Sequence, residues 1–207
     1  MSVSRRHFLS ALTLVVVAGA ARADTDPAPV ALVRNLSSTV LDAVRNDPEL
    51  KSGDLRKIKQ LVEVKILPFL DFRQMTAAAT GRNWRQATPE QQQQLQLQFK
   101  QLLIHTYSGA VRHVRDQQVQ FLPFRAAADA DNVVVRTRVV SSSDVIQLDY
   151  RLQREGDTWK ITDINVMGIW LVDNYRSVFA QEISKGGIDG LIKTLSDRNQ
   201  QLDQGTR

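Results

Sequence analysis

The sequence predicts an α+β fold in which helices pack over one face of a curved, four-stranded antiparallel sheet. Three observations lead there. Apolar residues recur at helical spacing through the first half of the chain, from Val30 to Val114. After Asp116 the period falls to two, and four segments rich in Val, Ile and aromatics follow. The links between those segments are short and polar, which suits an antiparallel meander; a parallel sheet would need helical crossovers.

The elements follow in order. Val33, Leu36, Val40, Leu41 and Val44 form one face of a helix over 30–44, and Asn46-Asp47-Pro48 stops it. Ser52 is placed to cap a second helix carrying Leu55, Ile58, Leu61, Val62 and Ile66 as far as about Leu67, just before Pro68. A short helix is expected over 71–80, ending at Gly81. Thr88-Pro89-Glu90-Gln91 has the composition of a capping box with Pro in the first turn, opening a long helix to about Arg115. Strands are predicted over 119–124, 132–140, 145–153 and 158–166. In the third, Ile146, Leu148, Tyr150 and Leu152 face one way, and Gln147, Asp149, Arg151 and Gln153 face the wet side. Two helices close the chain, over 173–185 and 188–202, separated by Gly186-Gly187.

Residues 1–23 read as an export signal. Arg5 and Arg6 precede an apolar run from Leu9 to Ala21, and Ala21-Arg22-Ala23 puts small residues where a signal peptidase cuts. The 13-residue run is too short to span a bilayer. Ser4-Arg5-Arg6-His7-Phe8-Leu9 resembles the twin-arginine export motif, with an ordinary Sec signal as the alternative. Either route leads to the periplasm or beyond. One domain is expected over 24–203, with a disordered tail at 204–207.

Cleavage removes three of the 27 basic residues and no acid, so a formal charge of +5 falls to +2. The remaining Lys and Arg are scattered among acids without aromatic interleaving, so nucleic acid is not an expected partner. The chain has no cysteine, which excludes disulfides, Cys-ligated metals, thiol catalysis and a lipid-modified N-terminal Cys. A chain of this size buries enough apolar surface to fold without such staples.

Catalytic constellations are missing. After cleavage two histidines remain, His105 and His113, eight residues apart on one predicted helix and so about 80° apart around its axis. His113 is expected toward the apolar arc and His105 off its edge, and neither spacing nor neighbours make a metal site. Tyr107-Ser108-Gly109 lies inside a helix, where no strained turn presents the hydroxyl. Lys185-Gly186-Gly187 reads as a helix stop. No catalytic residue, metal ligand or cofactor is assigned. What is left is apolar, and periodicity does not say whether the face between helices and sheet is filled or hollow.

Two ordered stretches, one from Phe69 to Tyr107 and one from Trp159 to Ile192, together resemble the MlaC (toluene-tolerance auxiliary) family. The first is Phe69-Leu70-Asp71-Phe72-Arg73-Gln74-Met75 with Gly81-Arg82-Asn83-Trp84-Arg85-Gln86-Ala87-Thr88-Pro89-Glu90-Gln91, continuing through Phe99, Leu102, Leu103, Thr106 and Tyr107. The second is Trp159-Lys160-Ile161-Thr162-Asp163-Ile164-Asn165-Val166, followed by Gly168-Ile169, Leu171-Val172, Asn174-Tyr175-Arg176, Phe179 and Gly187-Ile188-Asp189-Gly190-Leu191-Ile192. Met167-Gly168-Ile169-Trp170 departs from the family pattern, which more often has an acid before the glycine and a small polar residue before the leucine. Trp170 is therefore expected to bear on the shape of a pocket mouth.

The resemblance implies a periplasmic phospholipid carrier. Such proteins hold acyl chains in an apolar cavity between the curved sheet and its helices. They move lipid between an outer-membrane lipoprotein/porin complex and an inner-membrane ABC transporter complex, maintaining outer-membrane lipid asymmetry. Phospholipid would be cargo and not a cofactor. The expected lipid-binding wall takes Val133, Val135, Ile146, Leu148, Tyr150, Ile164 and Val166 from the sheet. Leu67, Phe72, Met75, Phe99, Leu103 and Tyr107 come from the helices, with Ile169, Leu171, Tyr175 and Phe179 after the last strand. Trp84 and Arg85 are expected to be structural, Arg85 pairing with an acid such as Asp71. Arg176 pairs with a carboxylate or meets a headgroup or docking partner. The rival is a small isomerase or dehydratase of an apolar substrate using Asp163, His113 and Tyr107. A solid-cored scaffold is the third class.

Overall fold

The computed structural model describes residues 26–114 and 116–205, so the export signal expected at 1–23 lies outside the described residues. Helix α1 (Ala28–Asn46) carries Pro29 in its first turn and buries Val30, Val33, Leu36 and Val44 along one stripe. The single helix expected after it is in fact several pieces. The Asp47 carboxylate accepts from the N–H groups of Glu49 (2.8 Å) and Leu50 (3.2 Å), capping α2 (Pro48–Ser52). Asp54 does the same for Arg56 (2.8 Å) and Lys57 (3.1 Å), capping α3 (Leu55–Leu61). Two aspartates thus take the capping role assigned to Ser52, whose hydroxyl donates back to Glu49 O at 2.8 Å. Beyond Leu61 the chain widens into a π-helical turn (Val62–Ile66) and tightens into a 3₁₀ turn (Leu67–Phe69), consistent with Pro68 having no N–H to continue a helix.

Helix α4 (Phe72–Thr80) is capped by Asp71, which accepts from Gln74 N–H at 2.8 Å. A 3₁₀ segment (Gly81–Gln86) leads into α5 (Pro89–Val111). The predicted capping box is present: Gln91 N–H donates to Thr88 Oγ1 at 3.2 Å, and Thr88 N–H donates to Gln91 Oε1 at 3.0 Å. The helix ends four residues short of the expected position. The two C-terminal helices form one run, α6 (Leu171–Gly205), broken at Gly187, where φ 67° requires glycine. Its last turn continues through Gly205, past the expected domain end at 203.

The sheet is an antiparallel meander as expected, but it has five strands, not four: β1 (Gln118–Phe121), β2 (Asn132–Val140), β3 (Val145–Glu155), β4 (Thr158–Val166) and β5 (Ile169–Trp170), in that order. A two-residue β5 has no periodicity to detect. It returns from a Met167-Gly168 turn held by Asn165, whose side-chain oxygen accepts from Gly168 N–H at 2.8 Å. Between β3 and β4 the register slips at Arg151/Leu152, because Arg151 faces Asp163 while Leu152 faces Ile161. Thr162 is the extra residue of this bulge. Strict alternation would place Ile161 and Ile164 on opposite faces; the bulge puts both on the inner face with Leu152 and Tyr150, and bends the strand.

Candidate functional site

The inner sheet face is built by cross-strand pairs: Val133 with Leu152, Val135 with Tyr150, Thr137 with Leu148, then Tyr150 with Ile164 and Leu148 with Val166. Thr137, unforeseen among these apolar positions, is fully buried because its hydroxyl donates to Leu148 O. Tyr150 is buried too, and that burial pushes its phenol up to about 12 despite a hydrogen bond with Ser37 of α1.

Buried apolar residues do not fuse into one core. One cluster joins α4, α5 and α6 through Met75, Trp84, Leu95, Phe99, Phe179 and Leu191. A second joins α1 to the inner sheet face through Val33, Leu36, Val135, Leu152 and Ile161. The third gathers the end of α1, α2, α3 and Ile104. Half-buried Leu70 packs against both the helix cluster and the sheet cluster, and half-buried Val40 links the second to the third. A seam of half-buried apolar side chains therefore runs between the sheet and the helices.

The 17 expected wall residues divide along this line. Phe72, Met75, Phe99, Leu103, Tyr175 and Phe179 join the helix cluster, where Phe99 lies 5.7, 4.9 and 5.1 Å from the rings of Phe72, Tyr175 and Phe179. Val133, Val135, Leu148, Tyr150 and Ile164 join the sheet cluster. Leu67 and Val166 are half-buried, Leu171 is buried, and Tyr107, Ile146 and Ile169 are exposed. Met75, Phe99 and Phe179 are packed shut, whereas Leu103, Leu148 and Ile164 are half-buried at the margins of their clusters. Sequence reasoning left out Ile66, Phe69 and Leu70, which pack half-buried against the sheet cluster. The π and 3₁₀ turns that aim them follow no 3.6-residue pattern, and only the flanking Pro68 hinted at irregular backbone.

The enclosed apolar cavity is not among the best-formed depressions of the described residues. These are open hollows, one of about 560 Å3 between Gly53, Arg56, Arg112 and Asp203, and one of about 570 Å3 at the start of α1, lined by Pro29, Phe124, Val133 and Trp159.

Several sequence expectations need correction. Trp170 pairs with Asn165, so it lies on the outer sheet face, where the Arg151 guanidinium sits 3.8 Å from its ring centroid. It does not shape a mouth on the inner side. Asp149 is on the outer face as expected but only 3% exposed, accepting from Thr137 N–H at 3.1 Å and the Gln147 amide at 2.6 Å. The histidines exchange places: α5 ends before His113, which is exposed, while the side chain of His105 is buried 3.3 Å from Asp203 on α6. Burial lowers the His105 pKa, Asp203 opposes that shift and Lys59 adds to it. Trp84 is buried as expected, but Arg85 is exposed and Asp71 is occupied as the α4 cap. Arg176 fastens α6 to α4, its Nε donating to Ala78 O at 2.9 Å, with Asp173 at 3.8 Å.

The suspected catalytic groups do not share a site. Asp163 points to the outer face, where it accepts from Ile164 N–H (2.8 Å), Val172 N–H (3.0 Å) and Arg151 (2.8 Å), capping the start of α6. Burial raises its pKa against those three partners. Tyr107 belongs to α5 and His113 to the exposed turn beyond it. Among the described residues no group of three His, Asp or Glu could hold a metal ion, and no helix is long and apolar enough to cross a membrane.

The family model described as MlaC protein matches residues 34–197, most of the chain. The chain belongs to the MlaC family. The toluene tolerance protein ttg2D of Pseudomonas putida is 31% identical over 112 residues, 54% of this chain and 51% of that protein. The match thus spans about half the length of that relative. The intermembrane phospholipid transport system binding protein MlaC of Haemophilus influenzae is 20% identical over 188 residues, covering 89% of this chain and 87% of the other. A solved structure of a phospholipid-binding protein from Ralstonia solanacearum, in complex with a phospholipid, superposes with a TM-score of 0.82 at 48% identity. It covers 84% of this chain and 98% of the other, so the MlaC-family fold described above is shared over nearly the whole relative.

Proposed function

We propose that this MlaC-family protein is a periplasmic phospholipid carrier, released by cleavage of residues 1–23. It takes lipid between an outer-membrane lipoprotein/porin complex and an inner-membrane ABC transporter complex, and so maintains outer-membrane lipid asymmetry. The observation that carries this reading is the 48% identity and 0.82 TM-score to a protein solved with phospholipid bound. The divided core supports it, because two apolar clusters that meet through half-buried Leu70 can part around an acyl chain without opening either one.

The wall is assigned to the half-buried positions: Leu67, Leu70, Leu103, Leu148, Ile164, Val166 and Tyr175. Each methylene withdrawn from water contributes about 0.8 kcal/mol, so a 16-carbon chain gains on the order of 12 kcal/mol gross. Release into water is correspondingly slow, and unloading needs a partner that competes for the chain. The outer-face engagement of Asp163 argues against the isomerase alternative, which needs convergent polar groups on the apolar side. The test is transfer of a labelled phospholipid between donor and acceptor vesicles by purified protein. Transfer that rises in proportion to added protein is expected; vesicle exchange unchanged by the protein would sink the carrier reading.

A further inference from the structure

The outer face of the sheet has a charge pattern that lipid carriage on the inner face does not use. Cross-strand pairing puts Gln118, Gln120, Arg136, Arg138 and Gln147 there, all exposed. Arg125, in the link between β1 and β2, is exposed beside them. Among the described residues no carboxylate comes within ion-pair distance of Arg125, Arg136 or Arg138. Of the acids on or beside this face, Glu155 is exposed at the end of β3 and exposed Asp173 of α6 pairs with Arg151 at 3.1 Å, whereas the two in its middle are withdrawn. Asp149, directly across from Arg136, is 3% exposed and occupied by Thr137 N–H and Gln147, and Asp163 is equally buried by its own three donors. Asp129, Asp131 and Asp144 lie in the turns at the strand ends, and Asp131 is paired with Arg154 at 3.4 Å. The charges that protrude from the middle of the face are therefore all guanidinium. Arg125, Arg136 and Arg151 border an open groove of about 490 Å3 with Asn132 and Thr162.

We propose that this face docks electrostatically on the surface of an anionic phospholipid bilayer. Guanidinium groups match phosphate oxygens with paired hydrogen bonds. A protein partner would look for buried aromatic or aliphatic anchors; beside Arg136 and Arg138 the apolar side chains are half-buried Val134 and Val140, with exposed Val145 at a strand end, and Trp170 lies away on the edge strand β5, under the Arg151 guanidinium. A flat array of protruding cations suits a plane of charge. Docking by this side leaves the inner face and its seam unobstructed.

The inference extends the carrier reading but is separable from it, since docking is read by vesicle binding and carriage by lipid content. Purified protein is floated with vesicles of phosphatidylcholine alone or with about one-third phosphatidylglycerol, at low salt and at about 0.5 M salt, where screening shortens the reach of each charge to a few ångströms. Binding is expected to the anionic vesicles at low salt and to be lost at high salt. R136Q and R138Q should each weaken it about fivefold, the equivalent of about 1 kcal/mol per basic residue near a charged membrane. Arg136→Lys and Arg138→Lys should restore low-salt binding, with melting temperature and copurified lipid unchanged in all four variants. Equal binding to both vesicle types, or R136Q/R138Q binding like the parent, would overturn the proposal. Binding that appears only with vesicles carrying a reconstituted protein would do the same.

Discussion

Replacing Phe99 with alanine separates the shut core from the seam. Phe99 is 0% exposed, and its ring is within 6 Å of the rings of Phe72, Tyr175 and Phe179, two of the three contacts edge-on. The helices around it are tied by Asn199 to Gln98 O (2.9 Å) and by Arg176 to Ala78 O, so they will not collapse fully into the vacated volume. The expected cost is about 3–5 kcal/mol, a large part of the roughly 5–15 kcal/mol that keeps such a domain folded. At about 2–4 °C per kcal/mol for a chain of this size, the melting temperature should fall on the order of 10 °C. Thermal unfolding followed by circular dichroism on delipidated protein gives the value, because bound lipid would add stability by mass action. Phospholipid content per folded protein should be unchanged. A loss below about 1 kcal/mol accompanied by emptied protein would refute the division, placing Phe99 in the lipid wall and not in a closed core.

Other outcomes follow from the same geometry. Leu148→Trp, at a half-buried inner-face position, should cut copurified phospholipid severely while shifting the melting temperature by only a few degrees; full lipid content would remove Leu148 from the wall. Asp163→Ala orphans the N–H groups of Ile164 and Val172 and should cost about 2–3 kcal/mol in denaturant unfolding, with Asp163→Asn, which keeps one accepting oxygen, costing less. Gly53→Ala forces a side chain into φ +82° with its Cβ against Arg112 Nε; Arg112 can swing aside, leaving about 1–2 kcal/mol of backbone cost measurable by the same method. His105 is held neutral by burial, so its folded pKa lies below the unfolded value of about 6.5. Its contribution is full above that value and is lost as pH falls from about 6.5 toward the folded pKa, because the unfolded chain takes the proton first. The drop in melting temperature between pH 7.5 and 5.5 should therefore shrink in His105→Gln, and an unchanged drop would dismiss His105 as its source.

Strand and helix faces were legible where one repeat governed them. Alternation in β3 placed Leu148 and Tyr150 inside and Arg151 outside, and Thr88-Pro89-Glu90-Gln91 announced the start of α5. What escaped was set by competition or by interruption. Asp47 and Asp54 outcompeted Ser52 as caps, dividing a helix whose apolar spacing looked continuous. Thr162 slipped the β3–β4 register by one residue, which no local pattern encodes. The burial of His105 depends on α6 folding back to bring Asp203 beside it, 98 residues further along the chain. For the candidate site, sequence gave the apolar residue types but not which of them are sealed in clusters, since Phe99 and Leu103 lie on one helix face and differ only in what packs over them.

The central claim is that the seam between sheet and helices carries phospholipid. Gentle purification of the protein from a native-like membrane-bearing host, followed by organic extraction and mass spectrometry, tests it most directly. The account predicts phospholipid in near-stoichiometric amount with the parent protein, retained in R136Q and depleted in Leu148→Trp. Parent protein that is folded and free of phospholipid would contradict it.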